Sequence, residues 1–185
     1  MAEFVRGTVL FMACFFLFAI GGGVVAGILD AIAPRYYPVM FPGVPEGQAA
    51  FAAVNGVVTG IIQGSLIGLL VGIVIPLGLG YLRQLSWLSC LKALVILAGL
   101  SLLFGVVGGT LGYLLGRLAP GYYHSMFNRE NEHASFSPTD VGIGLGGSQG
   151  MMIGVAVACV LVLALAWRRS TIKSVENSPL VLAVK

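Results

Sequence analysis

The sequence predicts an all-α integral membrane protein: four transmembrane helices built from a tandem two-helix repeat, the copies related by a pseudo-twofold axis along the membrane normal. Three observations carry this. First, 58% of the 185 residues are hydrophobic and only 9% charged, against ~25% charged in a soluble domain, so the chain cannot cover a water-facing surface. Second, the apolar runs at about 8–33, 52–79, 91–118 and 141–167 each exceed the ~20 residues that cross ~30 Å of hydrocarbon. Third, residues 22–72 slide without a gap onto 108–158, an offset of 86. That register aligns Gly22, Gly23, Leu29, Ala33, Pro34, Tyr36, Tyr37, Met40, Phe41, Glu46, Gly56, Gly60, Gln63, Gly64, Ile67, Gly68 and Val71 with identical residues.

The runs are too long and too uniformly apolar for barrel strands, which need segments of about ten alternating residues. Their glycines are tolerated in membrane helices, where small residues permit close packing. We expect a first repeat over 1–82, a second over 83–170 and a flexible tail over 171–185. The start of span one, with Arg6 before an apolar core, has the layout of a secretory leader. Residues 19–33 nevertheless align with an internal span, so we expect the segment to be retained. Pro34 and Pro120 cannot continue a helix and should end spans one and three. Span two begins somewhere after Pro45-Glu46-Gly47-Gln48, and Pro76, which has Val162 as its counterpart, should kink or fray its far end. In Ser137-Pro138-Thr139-Asp140 a capping serine, a first-turn proline and an acid announce span four.

Arg6, Arg83, Lys92, Arg168, Arg169, Lys173 and Lys185 fall on one side of a four-span threading, and Arg35, Arg117 and Arg129 on the other among several acids. The bias places both termini in the cytoplasm, and we expect residence in a bacterial cytoplasmic membrane. The formal net charge of +3 does not suggest a nucleic-acid partner.

Span two carries Gly56, Gly60, Gly64, Gly68 and Gly72 at four-residue spacing, and span four Gly142, Gly146, Gly150 and Gly154 in the equivalent places. Residues at i and i+4 share a helix face, so each ladder is a groove for another backbone, within the bundle or on another subunit. Gln63 and Gln149 stand in the same relation to the two ladders. About eleven residues from the outer helix ends at 1.5 Å each, they lie ~17 Å deep, near mid-bilayer. We expect them to border the packed face and hydrogen-bond a neighbouring helix, with a polar site for a solute, headgroup or ion as the alternative. Asn55 and Thr59 extend Gln63 into a polar row, but Val141 and Leu145 replace them in the copy, against a symmetric hydrophilic pathway.

Asp30, a turn before Pro34, reads as an interfacial acid paired with Arg35 or water. A duplicated rotary-ATPase proteolipid also has glycine-rich hairpins, but needs a mid-helix carboxylate where glutamine stands here. Cys14, Cys90 and Cys159 lack any CxxC spacing. His124, Glu130, Glu132 and His133 fit no established ligand pattern, and no nucleophile, base and oxyanion arrangement is visible. We therefore expect no enzyme, cofactor or metal. The outer loops keep Tyr36, Tyr37, Met40 and Phe41 in one copy and Tyr122, Tyr123, Met126 and Phe127 in the other. These residues read as interfacial anchors covering the bundle or as docking patches.

The expected function is a noncatalytic packing or assembly subunit of a homo-oligomer or of a complex with another membrane subunit, embedded in the lipid bilayer. The alternative is a small channel or transporter using the midplane glutamines.

Overall fold

The computed structural model describes residues 1–40, 49–127 and 137–176. Over these, the chain is all helix and turn: α1 (Ala2–Ile32), α2 (Tyr36–Met40), α3 (Ala49–Tyr81), α4 (Trp87–Leu118), α5 (Pro120–Phe127) and α6 (Pro138–Glu176). The four long helices, α1, α3, α4 and α6, are each long and apolar enough to cross a membrane. Their outward faces carry Phe16, Ile20, Leu66, Leu70, Val95 and Val106 exposed, a surface that suits lipid and not water.

The two outer prolines act as expected. α1 ends at Ile32 and α4 at Leu118, each two residues before its proline, with Ala33 and Ala119 donating back to Leu29 and Leu115 carbonyls at 2.8 Å. Ser137 caps α6, its Oγ accepting the Asp140 N–H at 3.3 Å. Three expectations are corrected. The segments after Pro34 and Pro120 coil into short helices instead of running as loops. α3 does not fray at Pro76 but continues through it to Tyr81; the proline removes one backbone donor, and burial of Ile75 and Leu79 on either side holds the turn. The first part of the expected tail, to Glu176, extends α6, and the remainder lies outside the described residues.

The long helices form two antiparallel hairpins, α1 with α3 and α4 with α6, and the hairpins touch each other through far thinner contacts. At the end carrying the α3–α4 turn, a core joins Leu10 and Cys14, Val71, Ile75 and Leu79, Leu97, and Val155, Ala158 and Val162. At the opposite end, where α2 and α5 lie, a second core gathers Ala26, Leu29, Ala33, Tyr36, Tyr37 and Ala52. Two polar contacts reinforce these ends. Arg6 donates to the Leu85 carbonyl at 3.1 Å, and the Arg35 N–H donates to the Asp140 carboxylate at 3.2 Å. Asp140 accepts the Arg35 backbone N–H, and among the described residues no ion pair joins Arg35 to Asp30.

Candidate functional site: glycine seams and midplane glutamines

Each hairpin closes on glycine. A Cβ on Gly60 would meet the Gly22 carbonyl, one on Gly64 the Phe18 carbonyl, one on Gly68 the Cys14 carbonyl at 2.9 Å, and one on Gly72 the Phe11 carbonyl at 3.0 Å. In the other hairpin Gly146 meets Gly108, Gly150 meets Phe104 and Gly154 meets Leu100, while Gly142 meets Gly112. The first three contacts lie 86 positions on from Gly60–Gly22, Gly64–Phe18 and Gly68–Cys14. Backbones this close admit no side chain between them.

Gly56 belongs to a different contact, because the Tyr37 ring lies over it at 2.6 Å from a Cβ position. The Tyr37 hydroxyl donates to the Ala26 carbonyl at 3.2 Å, and Tyr123 packs on Gly142 in the equivalent place. Tyr36 lies on Gly144 of α6, so one ring of hairpin one is seated in a glycine socket of hairpin two. Tyr36, Tyr37 and Tyr123 are buried, so these rings cover the end of the bundle from sockets in it and offer no open docking patch. Burial pushes the Tyr37 hydroxyl up to about 12, neighbouring Tyr36 and Asp30 adding to it, and raises Tyr36 and Tyr123 in the same direction. All three stay neutral near pH 7. Met40, Tyr122 and Met126 remain exposed, Phe127 is half-buried, and Phe41 lies outside the described residues.

The glutamines are not where the ladder was expected to put them. Gln63 and Gln149 are both exposed, and among the described residues neither makes a hydrogen bond. The reason is angular. A residue one position before a seam glycine sits about 100° round the helix from it, far enough to leave the seam. Neither amide therefore binds helix to helix within the chain.

The hairpins are alike inside and unlike where they meet. Val71, Ile75 and Leu79 on α3 are 5, 0 and 2% exposed, whereas their equivalents Val157, Leu161 and Leu165 on α6 are 41, 40 and 37% exposed. Tyr36 is buried and its equivalent Tyr122 is exposed. A twofold axis would give equivalent residues equivalent surroundings. The expected twofold relation is corrected here: it does not describe how the hairpins touch, because each presents a different side to the other.

A cavity of about 50 Å³ opens at the turn end between α3, α4 and α6, with Gln84, Ser89, Lys92 and Arg169 on its polar side. Of the histidine and glutamate group considered above, His124 lies in α5, and Glu130, Glu132 and His133 lie outside the described residues. Comparison with protein-family models, characterised proteins and solved structures finds no match to the chain. The functional reading therefore rests on geometry.

Proposed function

We propose that this chain is a noncatalytic membrane-assembly subunit, a scaffold of two glycine-seamed hairpins that associates with further subunits in the bilayer. The observation that carries the reading is the unbonded, outward-facing Gln149 in the middle of its span, on a helix face that the chain itself leaves open. An amide in hydrocarbon without a partner is costly, and a partner helix on the outer face supplies what the chain itself does not. The glycine contacts that recur at the offset of 86 support a duplicated two-helix unit as the origin of the scaffold. Consistent with the charge bias, both termini and the α3–α4 turn face the cytoplasm, in a bacterial cytoplasmic membrane.

The channel or transporter alternative draws no support from the amides, which point outward and share no cavity. Extraction in native nanodiscs followed by mass measurement tests the proposal. The expected particle contains more than one subunit at fixed stoichiometry. A lone chain that carries a solute flux would overturn the reading.

A further inference from the structure

On α3, Gln63, Ile67, Val71, Ile75 and Leu79 follow one another at four-residue spacing and form one inclined ridge, a stripe that winds about 40° round the helix per step, the kind of row that packs against a like ridge on a crossing helix. Below the glutamine this stripe is the seat of the hairpin contact, since Val71, Ile75 and Leu79 are buried in the shared core and Ile67 packs against it. On α6 the equivalent stripe is Gln149, Ile153, Val157, Leu161 and Leu165, and all five are exposed. A surface that one hairpin buries against its neighbour is left open on the other, headed by an amide with no hydrogen bond among the described residues.

We propose that the α6 stripe is a homodimer interface, occupied by the same stripe of a second copy with the two Gln149 amides paired across it. This rests on the assembly reading above and names its partner.

Two observations select that occupant. First, the open stripe cannot repeat the contact made inside the chain. Hairpin one docks by seating Tyr36 on Gly144, where any Cβ would collide with the ring, and by packing Leu29 near Gly147. In hairpin one the equivalents of those two glycines are Val58 and Ile61, both exposed. The sockets are filled, so Tyr122 and Leu115 of one copy cannot be received there by the next, and a head-to-tail chain of copies is blocked. Second, a closed twofold dimer has what the stripe needs. An axis along the membrane normal keeps both copies in the same orientation and brings every residue near it to the depth of its own counterpart. Gln149 then meets Gln149, and a carboxamide is its own complement, one oxygen accepting while the NH₂ donates. Gln63 has no such prospect, because hairpin two already covers the stripe beneath it.

The test uses the full chain in liposomes, with dimer fraction read by fluorescence transfer as lipid dilutes the protein. Gln149→Leu is expected to weaken dimerisation roughly 8- to 300-fold, the span of the two intramembrane side-chain hydrogen bonds of the reciprocal amide pair, with thermal unfolding of the monomer unchanged because the residue is exposed. Gln63→Leu is the comparator and should leave dimerisation within twofold of wild type. Independently, in a chain with Cys14, Cys90 and Cys159 replaced by alanine, Val157→Cys and Leu161→Cys should oxidise to disulfide-linked dimers, while Leu69→Cys and Leu102→Cys should not. Oligomers that persist with no Val157 or Leu161 cross-link and no Gln149 effect would overturn this interface and leave the assembly reading standing. So would a foreign subunit captured at Val157. A monomer at every lipid ratio, with no co-purifying subunit, would overturn both.

Discussion

At the scale of single residues, the seam glycines and the outward glutamines divide the work of a small polar-poor bundle. The glycines matter for what they lack. At Gly64 and Gly150 the atom that a methyl would strike is a main-chain carbonyl, of Phe18 and Phe104, and a carbonyl cannot rotate away as a side chain can. Gly64→Ala and Gly150→Ala are therefore expected to destabilise the fold by about 1–3 kcal/mol, the cost of overpacking. Gly27 and Gly99 have nothing within 4 Å of a Cβ position, so alanine there should be neutral or slightly stabilising. Unfolding in a detergent titration checks the contrast, and equal tolerance at all four sites would show that the backbones are not in contact. The ladders were legible because i, i+4 spacing fixes a face whatever the tertiary structure. The direction of the glutamines was not, because adjacency in sequence to a packed glycine carries a side chain a quarter-turn away from it.

At the scale of elements, hydropathy located the four spans but not their ends. α4 begins at Trp87, not near Leu91, because Ser86 caps it by accepting the Ser89 N–H at 3.2 Å. A pattern reading tuned to apolar runs passes over a polar cap followed by a short mixed turn. The end of α3 hid a more specific device. Gln84 N–H donates to the Leu79 carbonyl at 2.8 Å and Arg83 N–H to the Gly80 carbonyl at 2.9 Å, the two crossed bonds of a Schellman cap. Arg83 occupies the left-handed position with φ 51°, where glycine is the usual residue and a Cβ is penalised. Arg83→Gly is thus expected to stabilise the hairpin link by about 1 kcal/mol. Arg83→Ala removes the same charge, keeps the Cβ and should bring no gain. Paired unfolding midpoints decide it: equal shifts for the two variants would mean that charge, not backbone conformation, sets the effect. Nothing in the local sequence marks Arg83 as left-handed, since the chain offers Gly80 three residues earlier as the more obvious stop.

At the scale of the whole molecule, the arrangement of charge makes the orientation testable independently of any partner. Arg6 reaches the Leu85 carbonyl, and Lys92 and Arg169 border one cavity, so cations drawn from both hairpins and the turn collect at a single end of the bundle. The other end holds Arg35 beside Asp140 and the tyrosine sockets, which are neutral near pH 7. The excess of Lys and Arg at this end favours its retention on the cytoplasmic side. The side-by-side contact of unlike hairpin faces does not disturb this polarity, because both hairpins keep their turns and loops at the same ends. In the chain with its native cysteines replaced by alanine, Ser125→Cys on exposed α5 should react with an impermeant thiol reagent in intact cells. Thr171→Cys, exposed at the far end of α6, should react only after the membrane is opened. Labelling in the reverse order would invert the bundle. It would leave the seams, the sockets and the α6 stripe unchanged, since helix packing and a twofold axis along the membrane normal are indifferent to which leaflet is which.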